Sequence, residues 1–295
     1  MTEKFLQYIQ YEKNYSSCTV LSYRKDLEQF TQFVAERGLT DDIAHATTEH
    51  IRLWLMTMRD AKCKATTINR RLSTLRSFYK FLLRQNAIEV DPTARIVAAK
   101  TPKKIPAFFS EKDLDNLLDM SENVTTFEAC RNETIIETFY QTGMRLAELI
   151  SLKDSDIDFD RNTIRIFGKR RKERIVPFGE DLREKLKNYI ALRNREVERT
   201  TPYLYILQSG KQMYAKAVYR IVTEAMGQVS TQEKRSPHVL RHTFATAMLN
   251  HGADINAVKE LLGHANLAAT QIYTHTTFEQ LQKIYQQAHP HAKEK

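Results

Sequence analysis

The chain has 295 residues, 42% hydrophobic and 27% charged, which suffices for two domains with cores of their own and argues against a disordered chain. No apolar run reaches the length of a membrane span, MTEKFLQYIQ lacks the apolar stretch of a signal peptide, and Cys18, Cys63 and Cys130 are too scattered for a disulfide framework or a CxxC metal knuckle, so a cytoplasmic location is expected. The net charge of +9 is concentrated, with eight Lys/Arg against one acid over residues 59–84 and seven against one over 161–174, which points to a polyanion partner, nucleic acid first.

The first hundred residues read as helices. FLQYIQYEKNY carries apolar Phe5, Leu6, Tyr8 and Ile9; SCTVLSYRKDLEQFTQFVAERG carries Val20, Tyr23, Leu27, Phe30 and Val34 and stops at Gly38. EHIRLWLMTMRD predicts a third helix, and TTINRRLSTLRSFYKFLLRQ a fourth, capped by Thr66 or Thr67, with Ile68, Leu72, Leu75, Phe78 and Leu82 on its apolar face. Arg76, Lys80 and Arg84 recur at i, i+4, i+8 on another face, with Arg70 on the same helix, a basic stripe suited to phosphates. VDPTARIVAAKTPKKIPAFFS follows, with three prolines and the cluster Lys100, Lys103 and Lys104, and reads as a basic interdomain linker. The domains expected are residues 1–98, a linker over 99–107, and residues 108–295.

Ser110 and Asp113 predict a capped helix start, and a helix through TIIETFYQTGMRLAELISL is interrupted at Gly143. NTIRIFGKRRKERIVPF reads as a hairpin with Ile164 and Ile166 on one side, Ile175 and Phe178 on the other, and GKRRK at the tip. SPHVLRHTFATAMLNHG has Ser236 as N-cap, Pro237 at the first helical position and Gly252 as stop. DINAVKELLG predicts a helix ending at Gly263, and NLAATQIYTH another, capped by Asn266. The fold class expected is mainly α with a small antiparallel β-sheet.

Several chemistries lose their residues. The eight glycines never lie closer than eleven positions apart, so neither GxxxxGK nor GxGxxG is possible. DSDIDFD fails as a calcium loop, with Phe159 at position six and Arg165 at position twelve, and its acids read as solvating the turn before the hairpin. There is no HExxH. An enzyme built from this sequence is expected to work without cofactor, metal or ATP.

If the substrate is a phosphodiester, fixed cations must neutralise its non-bridging oxygens, and arginine does this best with its planar, permanently charged fork. Arg145 in TGMRLAEL and Arg241 in PHVLRH stand in separate helical settings. His238, one turn before Arg241, is placed to move a proton, and Glu148, one turn after Arg145, to hold its guanidinium. A tyrosine nucleophile needs a cationic pocket to favour its phenolate, but patterning leaves the choice among thirteen tyrosines open.

TGMRLAELISL, FGKRRKERIVPF and SPHVLRHTFATAMLNHGADINAVKELLGHANLAATQIYTH resemble, in order, the signature boxes of the tyrosine recombinases (phage-integrase superfamily), most closely the bacterial Xer proteins. The likeness runs through roughly residues 108 to 285, and the helical N-terminal part resembles the family's SAM-like core-binding domain. The resemblance implies that Tyr273 attacks a DNA phosphate to give a 3′-phosphotyrosyl link and a free 5′-hydroxyl. It implies that Arg145 and Arg241 bind the phosphate, Lys169 protonates the leaving 5′-oxygen, His238 serves as acid and base, and His264 hydrogen-bonds the phosphate. The family's glycine after the hairpin lysine is Arg170 here, which leaves Lys172 as an alternative acid; Arg170, Arg171 and Lys172 are expected to grip DNA.

The partners implied are a double-stranded DNA recombination site, a homo-tetramer or a hetero-tetramer with a sister recombinase, and a DNA translocase as activator, on the nucleoid and not at a membrane. A C-terminal helix with Phe278, Leu281, Ile284 and Ala288 on one face is expected to dock on a neighbouring protomer. Chromosome dimer resolution is the leading role, since the chain begins at the core-binding helices without an arm-binding domain. A mobile-element integrase or transposase and a non-catalytic DNA-binding regulator on the same scaffold are the alternatives.

Overall fold

The computed structural model describes residues 1–102, 107–119, 126–168, 173–263 and 275–292. The chain divides into two compact units, Met1–Lys104 and Ile105–Lys295.

The first unit is helical. Helix α1 (Thr2–Gln7) runs on as a π-helical turn (Tyr8–Glu12), followed by α2 (Ser17–Glu36), α3 (Thr48–Asp60) and α4 (Ala65–Arg84). Ser16 caps α2 by accepting from the Thr19 N–H, and Thr47 and His50 cap α3 reciprocally. Helix α4 begins two or three residues earlier than expected: Lys64 holds the N-cap without a side-chain bond, and Thr66 and Thr67 lie within the first turn. The periodic apolar residues do what their spacing requires. Leu27, Phe30 and Val34 of α2 and Ile68, Leu72, Leu75, Phe78 and Leu82 of α4 are all buried, and Phe5 packs edge-on against Phe78 at 5.4 Å between ring centroids.

The second unit is built around α6 (Phe127–Thr142), which packs on α8 (Glu180–Glu196), α9 (Ala215–Val229) and α10 (Pro237–Asn250). Helix α5 (Glu111–Asp119) precedes it and opens on the expected exchange between Ser110 and Asp113, each side chain accepting from the other's N–H at 3.1 Å. Gly143 ends α6 in the left-handed region, and a short α7 (Leu146–Ser151) leaves in a new direction. Helices α11 (Ile255–Leu262) and α12 (His275–Ala288) complete the unit. Leu281, Tyr285 and Ala288 of α12 are buried, the latter two in the core of their own unit. Among the described residues no helix is long and apolar enough to cross a membrane.

The sheet has three antiparallel strands in the order β1 (Ile157–Asp158), β2 (Thr163–Phe167) and β3 (Glu173–Pro177). Ile175 lies on the face opposite Ile164 and Ile166, as expected, but Phe178, expected beside it, is buried. Ile164 pairs with Val176 and Ile166 with Arg174, and all four are buried, whereas Ile175 faces outward at 37% exposure. Alternation across the pleat leaves no other outcome, because Ile175 sits opposite exposed Arg165. The acids of DSDIDFD are more than solvating charges. Asp154 accepts both terminal nitrogens of fully buried Arg193, at 2.9 and 2.8 Å, and Asp156 caps the Lys153 N–H at 2.9 Å.

Candidate active site

Gly143 and the turn after it generate the site. With α6 stopped, Arg145 takes an extended conformation as the N-cap of α7, and Glu148 at the third helical position reaches back to accept the Arg145 N–H at 2.8 Å. The other carboxylate oxygen of Glu148 accepts from Arg145 Nη1 at 2.8 Å. A guanidinium that would otherwise sample many rotamers is thus tied to the start of its own helix.

The end of α11 gathers three arginines from three elements. Arg174 Nε, from β3, donates to the Leu261 carbonyl at 2.7 Å; Arg241 Nη2, from α10, to Leu262 at 2.6 Å; and Arg145 Nη2 to Gly263 at 3.0 Å. These are three consecutive carbonyls at a helix C-terminus, the end whose unpaired oxygens and dipole favour cations. Arg241 Nη1 also donates to the carbonyl of Gly143 at 2.6 Å, so the turn that positions Arg145 positions Arg241 as well. Arg174 closes the frame by donating through Nη1 and Nη2 to the two oxygens of Glu148, at 3.1 and 2.8 Å.

The charges do not cancel: Glu148 is the one carboxylate among three guanidiniums and bonds to two of them, Arg145 and Arg174, which leaves an excess of two positive charges in this group of four. Burial pushes the Glu148 carboxyl up, but the hydrogen bonds and charge of Arg174, with those of Arg145, outweigh it and hold the group below its ordinary value. For Arg241, burial first, and then Arg145 and Arg174, bring its pKa down to about 10, with Glu148 opposing. It stays charged at neutral pH, in an environment that favours an incoming anion. Arg241 and Arg174 are 7% and 4% exposed, whereas the Arg145 side chain is 42% exposed, so Arg145 presents the open side of the cluster.

Two curated domains match. The phage integrase family covers residues 107–280 and the phage integrase N-terminal SAM-like domain covers 2–86. The chain belongs to the phage integrase family. It is a tyrosine recombinase, a DNA-breaking and -rejoining enzyme, and XerC-like. Tyrosine recombinase XerC of Bacillus pumilus (strain SAFR-032) is 39% identical over 293 residues, with 98% of this chain and 95% of the relative covered. Among solved structures, a XerA recombinase is similar at a TM-score of 0.51 and 27% identity, covering 98% of each chain. The XerH site-specific recombinase bound to a palindromic difH substrate, in a post-cleavage complex, is similar in fold at a TM-score of 0.73 and 21% identity, covering 97% of this chain and 84% of that one.

The structure of the recombinase brings Arg145 and Arg241 together. His238 sits one turn before Arg241 on α10, exposed, with its ring 4.5 Å from that of His242. Burial, then His238 and Arg241, lower the His242 pKa. Lys103, Lys104, Lys169, Arg170, Arg171, Lys172, His264 and Tyr273 lie outside the described residues. The basic stripe of α4 is partly committed within its own unit. Arg70 pairs with Asp26, which is 2% exposed and also accepts from Thr74; Arg76 Nη2 donates to the Ile96 carbonyl at 2.6 Å; and Arg84 Nη1 donates to the Tyr8 hydroxyl at 2.5 Å. Lys80 and Lys100 are exposed.

Sequence reasoning missed Arg174. It closes the basic run over 161–174, which as a run points to a nucleic-acid partner and singles out no residue. The available signal was register: a hairpin that places Ile166 inward also places its partner, Arg174, inward.

Proposed function

We propose that the recombinase cleaves one strand of a double-stranded DNA recombination site with Tyr273 as nucleophile, while Arg145 and Arg241 hold the scissile phosphate. The phenolate oxygen forms a bond to phosphorus, and the bond from phosphorus to the 5′-oxygen breaks. The 3′-phosphate is then esterified to tyrosine, and the 5′-oxygen leaves with a proton from Lys169, with Lys172 as the alternative donor. His238 moves the proton of the phenol, and His264 donates to a non-bridging oxygen. Rejoining reverses these steps. The ester retains the energy of the phosphodiester, and the guanidiniums supply the charge neutralisation, so the sequence of steps consumes no ATP and uses no metal.

The observation that carries this reading is the convergence of Arg145 and Arg241, 96 residues apart in sequence, on the adjacent carbonyls of Gly263 and Leu262, immediately before His264 in the chain. Likeness to XerC over 98% of the chain supports a Xer role: resolution of chromosome dimers, with attendant parts in chromosome partition and cell division, in the cytoplasm, by a tetramer on two sites. The test is a substrate nicked near the cut, which loses a short fragment on cleavage and traps the covalent complex. Wild type should accumulate protein-linked DNA, and Tyr273→Phe should bind the same DNA and accumulate none; trapping by the Phe variant overturns the assignment.

A further inference from the structure

We propose that Arg174 is a positioning residue of the reaction: through its paired hydrogen bonds to Glu148 and its third bond to Leu261, it sets where Arg145 meets the phosphate. The inference rests on the recombinase reading above. Arg174 is 4% exposed and all three of its guanidinium nitrogens bond inward, so it does not touch the substrate itself. What it touches decides its role. Glu148 has two oxygens and two arginine partners, and Arg174 occupies both oxygens, which leaves one orientation in which Arg145 can use them too.

Remove the Arg174 fork and Glu148 keeps only its bonds to the Arg145 N–H and Nη1, so its carboxylate can turn about its terminal torsion and carry the Arg145 guanidinium with it. Arg241 is anchored differently, on the carbonyls of Gly143 and Leu262, and has no hydrogen bond to Glu148. Loss of Arg174 therefore misplaces one of the two phosphate-binding arginines relative to the other. Its bond to Leu261 adds a second constraint, fixing Glu148 and the carbonyl row of α11 in one frame. Misplacement on the order of 1 Å lowers reaction rates about a hundredfold.

The test separates positioning from mere support. Strand cleavage is followed under single-turnover conditions on two substrates: the ordinary phosphodiester, and one in which a non-bridging oxygen of the scissile phosphate is replaced by methyl. The methylphosphonate carries no charge and asks less of Arg145. Arg174→Lys keeps the charge but loses the fork; it should cleave the phosphodiester about a hundredfold more slowly and the methylphosphonate less than about tenfold more slowly. Glu148→Gln, close to isosteric, should show the same selectivity, and the double variant should be no slower than the slower single one, because both act through Arg145. Equal slowing on both substrates, no slowing in either variant, or additive effects in the double variant overturns the inference. If Arg174→Lys does not fold, Glu148→Gln decides by the same ratio. Failure of wild type to form protein-linked DNA overturns the recombinase mechanism instead, and is read before any variant is compared.

Discussion

Gly143→Ala tests how the fold builds the site. Gly143 has φ of +57°, and a Cβ there would lie 2.5 Å from Phe244 Cδ1 and 2.8 Å from Leu262 Cδ2. A left-handed conformation costs an ordinary residue about 1–2 kcal/mol, and forcing a methyl into a packed core adds about 1–3 kcal/mol. Gly252 provides the control, since it has φ of +84° and nothing within 4 Å of its added Cβ. Gly252→Ala should therefore carry the backbone term alone. Thermal unfolding of the two variants should differ by about 1–3 kcal/mol, which for a unit of this size is roughly 2–12 °C in Tm. Phe244 and Leu262 flank the carbonyls that hold Arg241, so Gly143→Ala should also slow cleavage below its melting range, whereas Gly252→Ala should not. Equal melting temperatures, or wild-type cleavage by Gly143→Ala, would refute the reasoning.

Two histidines near the C-terminus should shape the stability of the second unit against pH. His291 lies between Glu137 and Asp115, at 3.3 and 3.2 Å; burial lowers its pKa but those carboxylates prevail and raise it to about 9. Its stabilisation is complete below 6.5 and is lost as pH rises through about 9, so His291→Gln should flatten the alkaline decline in Tm; an unchanged slope contradicts this. His289, buried and bonded to the Tyr140 carbonyl, has its pKa brought down to about 3, chiefly by burial; the unfolded chain protonates first, and stability should fall as pH drops below 6.5 toward 3, a decline that His289→Phe should lessen. In the first unit, Lys80→Ala should leave Tm unchanged and reduce the salt dependence of DNA binding by about one ion. Arg70→Ala should lower stability by about 1–3 kcal/mol, because it strips buried Asp26 of a partner; equal stability of the two would show that the Arg70–Asp26 pair contributes nothing.

Most of the helical architecture was legible, because apolar spacing and capping residues are local properties. Leu27, Phe30 and Val34 declare a buried stripe, and the Gly143 and Gly263 stops define where α6 and α11 end. Arg145 and Arg241 were legible for a chemical reason, as permanent cations in rigid settings. What could not be read depends on long-range pairing. Arg174 looked like its neighbours in GKRRKER until the register with Ile166 turned it inward. Asp154 and Arg193, 39 positions apart, have no local signature that marks them as partners. Arg76 and Arg84 form a convincing basic face in projection, but the Ile96 carbonyl and the Tyr8 hydroxyl, remote in sequence, engage them. The row of carbonyls at Leu261–Gly263 was equally hidden, since backbone acceptors carry no mark in a sequence.

The most direct test of the central claim is to find which amino acid carries the DNA. The nicked substrate is cleaved in excess EDTA, the covalent complex is digested with nuclease and trypsin, and the peptide retaining a 3′-linked nucleotide is sequenced by mass spectrometry. The account predicts that the nucleotide sits on the peptide of residues 260–283, which contains Tyr273 as its single tyrosine. A nucleotide on any other peptide, or no covalent product once metal is removed, would contradict it.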